Sequence, residues 1–119
     1  MPEIDLFQNE KDPVSYDAGA TIFEAEEPGD VMYVVVEGEV EIRLNGQVLE
    51  TVQAGGMFGE MALIDNMPRS AAAVARTGCK LARVDQERFM YLIQNTPTFA
   101  IQIMRIMSDR LRRQNRQAD

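Results

Sequence analysis

Histidine and tryptophan are absent from this 119-residue chain, and cysteine occurs once, at Cys79. A single cysteine excludes a disulfide within the chain, and Cys79 is expected to be a small core residue. The lack of histidine removes the commonest general base and the commonest metal ligand. Because one thiol and scattered carboxylates are a poor substitute for a histidine metal site, we predict no metal and no enzyme activity.

Long hydrophobic runs are also missing, since no apolar stretch approaches the roughly 18 residues that a membrane-spanning helix needs. The acidic N-terminus does not resemble a secretory signal. These features predict a cytoplasmic chain without membrane insertion. With 119 residues, 45% of them hydrophobic, the chain has the size and composition of one domain, here predicted over residues 1–119.

Basic residues are scarce in the first half of the chain. Residues 1–60 contain 14 acidic and two basic residues, whereas residues 61–119 contain five acidic and ten basic residues. The net charge of −7 argues against non-specific nucleic-acid binding, so no nucleic-acid partner is predicted. An anionic ligand is expected to bind through the second half, although an uneven surface charge without a role explains the same counts.

Short strand patterns separated by turn residues fill residues 14–84. Strands are predicted at 14–16, 21–23, 31–36, 40–44, 48–52 and 79–84. The run 31–36 is almost wholly β-branched or aromatic, which is typical of a strand buried on both faces. Val40, Ile42 and Leu44 alternate with polar residues, and Asn45-Gly46 is a strong hairpin signal. Turns about every 8 to 12 residues predict an antiparallel sandwich or roll.

Helices are predicted after the strands, within residues 85–117, and residues 1–12 form a short N-terminal segment. Asp85 is suited to cap a helix at 86–94. Thr96-Pro97 starts a second helix that runs to about residue 114. Two rows of apolar residues run along one side of that helix: Phe99–Ile103–Ile106 and Ala100–Met104–Met107–Leu111. Together the two rows form a wide apolar face. In one interpretation this face packs only on the roll, and in the other it also contacts a partner helix. The basic residues at 110–116 favour a helix C-terminus over a lipid or nucleic-acid patch.

The segment 54–74, AGGMFGEMALIDNMPRSAAAV, concentrates the chemistry. Its glycines let the backbone approach a ligand closely or adopt positive φ. Good helix formers from Glu60 to Ile64 predict a short helix, whose first N–H groups favour an anion. Arg69 supplies a planar, permanently charged fork suited to phosphate, and Glu60 supplies an acceptor suited to a sugar hydroxyl. An anion, a hydroxyl and a small apolar pocket together describe a sugar phosphate such as a nucleotide.

Each of these residues also has an ordinary structural explanation when it is taken alone. Gly55-Gly56 is a common hairpin turn, Glu60 a capping or solvated carboxylate, and Arg69 a surface charge. The apolar residues between them are expected in the core under either interpretation. Only the joint spacing favours a ligand site.

The order FGE-x-A-L-x(4)-P-R-S-A at residues 58–71 resembles the phosphate-binding cassette of cyclic nucleotide-binding domains. This family includes catabolite activator proteins, regulatory subunits of cyclic-AMP-dependent kinase and cyclic-nucleotide-gated channels. GDVMYVVVEG at residues 29–38 extends the resemblance to about residues 16–113. It implies a mainly β fold with flanking helices: an antiparallel β-roll of the jelly-roll, cupin-like type, with a cassette at 55–71 and two C-terminal helices.

The resemblance also implies a ligand and the residues that hold it. Glu60 would hold the ribose 2′-hydroxyl, Arg69 the cyclic phosphate, and backbone N–H groups of the cassette would complete the cradle. The predicted ligand-binding residues are Gly59, Glu60, Met61, Ala62, Leu63, Arg69, Ser70, Ala71, Gln114 and Asn115. Ser70 after the arginine favours cyclic AMP over cyclic GMP, and Gln114 and Asn115 lie where a cap over the base would come from.

The function implied is a stand-alone cyclic nucleotide-binding sensor or regulatory module that lacks its own output domain. Leu63 and Phe89 are candidates to transmit ligand binding to the terminal helices. The expected partner is an effector protein or a second copy, bound through the C-terminal helix. The alternative is a β-roll interaction subunit that no longer binds nucleotide. A small jelly-roll enzyme is disfavoured because histidines are missing.

Overall fold

The computed structural model describes residue 4 and residues 6–118, with side chains up to residue 116. The described chain contains eight strands: β1 Val14–Tyr16, β2 Thr21–Phe23, β3 Val31–Glu37, β4 Val40–Leu44, β5 Gln47–Val52, β6 Met57–Phe58, β7 Ala72–Ala75 and β8 Cys79–Asp85. It contains three helices: α1 Met61–Ile64, α2 Gln86–Asn95 and α3 Pro97–Ala118. None of these helices has the length and apolarity needed to cross a bilayer.

The strands form two four-stranded antiparallel sheets, in the orders β1-β8-β3-β6 and β2-β7-β4-β5. This arrangement confirms the predicted mainly β, antiparallel β-roll with a short cassette helix and two C-terminal helices. Strands β6 and β7 were not predicted. The two residues of β6 are too few to show alternation. Strand β7 consists only of alanine and valine, so its sequence shows no polar face.

Strand β3 lies inside its sheet, between β8 and β6. Its first five residues, Val31 to Val35, are buried, as the continuous apolar run predicted. Val35 faces the space between the two sheets, where it shares a core with Phe58 and Leu81. Val34 faces the other way and joins the core under the helices. Both faces of the strand are therefore covered, which is why its sequence does not alternate.

The predicted hairpin forms at Asn45-Gly46, where φ is 53° and 79° and Leu44 pairs with Gln47. Two positive φ values are what a two-residue hairpin turn requires. The register of the β4–β5 pair shifts between Ile42 and Arg43, where β5 contains one extra, unpaired residue, Leu49. The alternation predicted for β4 does not hold to its end. Val40 is buried, but Leu44 is exposed because the hairpin extends beyond the inter-sheet core.

The helices pack on the face of the β1-β8-β3-β6 sheet that points away from the other sheet. Asp85 caps α2 as predicted, because its carboxylate accepts a hydrogen bond from the backbone N–H of Arg88 at 2.8 Å. Phe99 at the start of α3 is fully buried and meets the ring of Phe89 edge-on at 6.0 Å. The row Phe99–Ile103–Ile106 enters the core, whereas Met104, Met107 and Leu111 stay exposed.

The N-terminal segment is held to the domain by two apolar anchors and one ion pair. Ile4 and Phe7 are buried in the helix-side core, whereas Leu6 is exposed. Arg88 on α2 donates to the Glu10 carboxylate at 2.8 Å, and its guanidinium lies 4.9 Å from the centre of the Phe7 ring. Residues 1–3 and 5 lie outside the described part of the chain.

Candidate ligand-binding site

A pocket of about 270 Å³ opens between the β4–β5 hairpin, the cassette and the C-terminal half of α3. Its apolar wall is formed by Phe23, Ile42, Leu44, Leu49 and Phe58. Its cassette wall consists of residues 59–62 and 68–71, and α3 contributes Arg110 and Gln114. Within the described residues, no cluster of three or more His, Cys, Asp or Glu side chains is placed to hold a metal ion.

Arg69 lies in this wall as a buried positive charge, with a residue exposure of 6%. Its Nη1 donates to the Gly59 carbonyl oxygen at 3.0 Å and its Nη2 to the Val31 carbonyl oxygen at 2.9 Å. The guanidinium carbon lies 4.1 Å from the centre of the Phe23 ring. The buried Nε has no hydrogen-bond partner, and within the described chain Arg69 takes part in no ion pair.

Burial lowers the pKa of Arg69, because desolvation disfavours the charged form. Arginine nevertheless stays protonated in proteins at neutral pH. The site therefore contains a permanent cation that is held by backbone carbonyls and an aromatic ring. No carboxylate of the described residues pairs with it directly, and Glu27, Asp30 and Glu60 act on it only from a greater distance. Such a charge is costly to bury unless an anion compensates it.

Two glycines make room for this guanidinium. A Cβ at Gly29 would lie 2.3 Å from both Cζ and Nε of Arg69, and a Cβ at Gly59 would lie 2.7 Å from its Nη1. Gly59 also has a φ of +78°, which favours glycine. In the sequence, Gly29 was noted only as part of the segment that resembles the family. The structure shows why a glycine is needed there, since any side chain at this position would displace the guanidinium of Arg69.

Glu60 lies beside the pocket mouth and is joined to α3 through Arg110. The Nη1 of Arg110 lies 3.2 Å from Oε1 of Glu60, and its Nε lies 3.1 Å from a carboxylate oxygen of Glu50. Its Nη2 donates to the Met57 carbonyl oxygen. Arg110 thus connects α3 with the cassette, with β5 and with β6.

Arg110 was not predicted as a site residue, because in the sequence it belongs to the basic segment 110–116. A signal was present, however: Arg110 precedes Gln114 by four residues, and residues spaced by four share a helix face. Since Gln114 was expected at the pocket, Arg110 should have been placed there too.

Most of the predicted ligand-binding residues lie together in the pocket wall, namely Gly59, Glu60, Met61, Ala62, Arg69, Ser70, Ala71 and Gln114. Leu63 does not line the pocket and is buried in the helix-side core with Phe89. Asn115 is exposed and lies apart from the lining residues. Contact of any of these residues with a ligand stays a prediction.

The fold and the pocket define a small β-roll domain with a ligand-sized cavity at the edge of one sheet. A model of the cyclic nucleotide-binding domain matches residues 13–96. The chain belongs to the cyclic nucleotide-binding domain family.

Two named relatives are regulators. The CRP-like cAMP-activated global transcriptional regulator of Mycobacterium tuberculosis is 31% identical over 108 residues, which cover 87% of this chain and 48% of the relative. The cAMP-dependent protein kinase regulatory subunit of Aspergillus fumigatus is 40% identical over 85 residues, 69% of this chain and 20% of the relative. The chain thus spans about half or less of the length of these proteins.

The crystal structure of the Thermus thermophilus catabolite activator protein superposes with a TM-score of 0.81 at 32% identity. The superposition covers 97% of this chain and 56% of that one. The likeness therefore includes the two C-terminal helices as well as the roll, beyond the residues that the family model matches.

Proposed function

We propose that the pocket binds a cyclic nucleotide, cyclic AMP in preference to cyclic GMP, and that the chain acts as a regulatory ligand sensor and not as an enzyme. The observation that carries the proposal is the buried Arg69 guanidinium, which lines the pocket without a carboxylate partner. Both named relatives are regulators described by their dependence on cyclic AMP.

An anionic oxygen beside Arg69 would supply what this group lacks. Its Nε has no acceptor, and among the described residues no carboxylate forms an ion pair with it. The phosphate of a cyclic nucleotide carries one negative charge, which matches one guanidinium. A charge-assisted hydrogen bond of this kind contributes about 1.5–3 kcal/mol. The same wall contains Gly59, Glu60, Ser70 and Ala71, and we propose that their backbone N–H groups complete the cradle.

Glu60 is proposed to accept a hydrogen bond from the ribose 2′-hydroxyl. Among the described hydrogen bonds, the carboxylate uses only Oε1, toward Arg110. An ionised carboxylate has two oxygens and about four acceptor sites, so Oε2 can accept from a sugar hydroxyl at the same time. Arg110 would then orient Glu60 while Glu60 orients the sugar.

The base is proposed to lie against the apolar hairpin side of the pocket, formed by Ile42, Leu44 and Leu49. Gln114 of α3 lines the same pocket, and its amide offers a donor and an acceptor to an adenine edge. The volume of about 270 Å³ is near the lower end of the range of roughly 300–1,000 Å³ for small-molecule pockets. It therefore suits a mononucleotide better than a larger ligand.

The packing around α3 supports a link between the ligand and a partner. Leu63 of the cassette helix shares a core with Phe89 of α2 and Phe99 of α3. Met104, Met107 and Leu111 form an exposed apolar row on α3, as a partner surface would. Contact with an effector protein or a second copy, and the stand-alone arrangement, stay predictions, because the chain spans only part of its relatives.

Isothermal titration calorimetry of the purified chain tests the proposal. Cyclic AMP should bind most tightly, cyclic GMP more weakly, and 5′-AMP at least tenfold more weakly than cyclic AMP, because its open dianionic phosphate does not match a single buried cation. Failure of both cyclic nucleotides to bind would contradict the proposal and would favour the alternative of an interaction subunit without ligand.

A further inference from the structure

We propose that Met61 is a peroxide-sensitive modification site in the pocket wall, and that its conversion to methionine sulfoxide weakens ligand binding. The effect on binding rests on the proposed function of the pocket. The reactivity of the side chain does not, because it follows from exposure and chemistry alone.

Exposure separates Met61 from the methionines of the core. Met61 is 44% exposed at the first position of α1, whereas Met32 and Met57 are 0% exposed. Oxidation of a thioether requires access of the oxidant to the sulfur. Peroxide should therefore reach Met61 in the folded protein while Met32 and Met57 stay reduced.

The position of Met61 makes its oxidation consequential. It lines the pocket, and its sulfur accepts a hydrogen bond from Oγ of Ser70 at 3.9 Å. Ser70 directly follows Arg69, the cation proposed to hold the phosphate. The Met61 sulfur thus lies beside Arg69-Ser70, where a negatively charged ligand is proposed to bind. A chemical change at the sulfur therefore affects both the Ser70 hydroxyl and the volume of the pocket that is open to a ligand.

The reaction transfers one oxygen atom and two electrons. A sulfur lone pair of Met61 attacks one oxygen of hydrogen peroxide, the O–O bond breaks, and a sulfur–oxygen bond forms. The departing hydroxide takes up the proton left on the transferred oxygen, so the products are methionine sulfoxide and water. Sulfur is oxidised by two electrons and peroxide is reduced by two. A methionine sulfoxide reductase with a thiol reductant reverses the change.

The sulfoxide is larger and more polar than the thioether, and its oxygen bears a partial negative charge. In the pocket this oxygen would repel an anionic ligand and would compete for the hydroxyl of Ser70. We expect at least a threefold loss of affinity for cyclic AMP. In return, a bound ligand should cover the sulfur and slow its oxidation.

Peptide mapping by mass spectrometry after mild peroxide treatment tests the site itself. Met67 and Met90 serve as internal references, because they are 54% and 43% exposed and neither lines the pocket. Met61 should oxidise with them and ahead of Met32 and Met57. Saturating cyclic AMP should slow oxidation of Met61 at least threefold and leave Met67 and Met90 unchanged. Resistance of Met61 to peroxide in the absence of ligand would overturn the inference.

Affinity before and after peroxide tests the consequence. Oxidised wild-type protein should bind cyclic AMP at least threefold more weakly, and reductase treatment should restore the affinity. Met61→Leu should show the same affinity before and after peroxide, whatever its starting value, whereas Met67→Leu should remain as sensitive as wild type. Unchanged affinity after complete oxidation of Met61, or equal peroxide sensitivity of Met61→Leu, would refute the inference. Absence of binding before oxidation would instead refute the proposed function.

Discussion

Replacing Arg69 with methionine tests the role of the buried cation. The methionine side chain is unbranched and apolar, so it can still lie on the Phe23 ring, but it removes the charge and the two hydrogen bonds to the carbonyls of Gly59 and Val31. Loss of those bonds destabilises the empty protein, by about 0.5–1.5 kcal/mol each. Removal of a buried charge that has no direct ion-pair partner increases the stability of the empty protein. The two effects offset each other in part, so Arg69→Met should fold.

The effect on the ligand is one-sided, because the proposed contact with the phosphate depends on the positive charge that the substitution removes. Loss of a charge-assisted contact of about 1.5–3 kcal/mol weakens binding roughly 10- to 150-fold. At a ligand concentration of about 100 times the wild-type Kd, binding stabilises the wild-type protein by about 2.7 kcal/mol. With tenfold weaker binding the same concentration stabilises the variant by only about 1.4 kcal/mol. At roughly 4 °C per kcal/mol for a domain of this size, these values correspond to Tm shifts of about 11 °C and at most about 6 °C.

A thermal-shift titration with cyclic AMP measures both quantities in one assay. Arg76→Met is the matched control, because Arg76 is exposed, pairs with Glu39 at 2.8 Å and does not line the pocket. The control should keep the full ligand-induced shift. The reasoning is refuted if Arg69→Met folds and still shows the same ligand-induced shift as the wild type.

Three further predictions concern other groups of the domain. Glu60→Ala should weaken binding of cyclic AMP about tenfold but change binding of 2′-deoxy cyclic AMP little, by calorimetry; equal losses would exclude the proposed hydroxyl contact. Gly29→Ala should lower affinity at least tenfold because its methyl displaces the guanidinium, whereas Gly78→Ala, where a Cβ meets no atom within 4 Å, should bind normally; normal binding by both would argue against the steric role. The hydrogen bond from Arg88 lowers the pKa of Glu10 below its ordinary value, so this pair stabilises the fold at neutral pH and loses that contribution as pH falls through the folded pKa. Urea unfolding should show Glu10→Gln less stable than wild type at pH 7, with a difference that shrinks as the pH falls below the ordinary pKa of a glutamate; a constant difference would exclude this linkage.

Much of the fold was accessible from the sequence, because local signals and tertiary packing agree in it. Asn45-Gly46 needs two positive φ values and has them, and Asp85 caps α2 as its position predicted. The extra residue in β5, Leu49, could not be predicted, because no local sequence signal marks it. Leu44 fits an alternating pattern but lies where the hairpin has left the core, and burial there depends on how far the opposite sheet extends.

The cassette residues could be grouped from spacing alone, whereas their environment could not. Arg69 reads as an ordinary surface charge until the backbone carbonyls of Gly59 and Val31 are seen around it. Val31 is 38 positions away in the chain. Arg110 could have been placed at the pocket from its spacing to Gln114, but its partners Glu50 and Glu60 are distant in sequence. Gly29 was missed because it acts through Arg69, which is also distant in sequence. Such contacts depend on topology, and no periodicity encodes them.

Helix α3 is one continuous rod whose two halves meet different parts of the molecule. Its N-terminal half is fixed in the core at Phe99, while Arg110 ties its C-terminal half to the pocket. A straight helix of 22 residues is about 33 Å long, so a tilt of about 5° displaces one end by about 3 Å. If the helix pivots at Phe99, Arg110 lies about 17 Å and the end of the helix about 29 Å along the axis, so a shift of about 1 Å at Arg110 becomes about 1.7 Å at the end. If the pocket binds its ligand as proposed, any molecule touching the last turns would detect pocket occupancy as movement and not as chemistry.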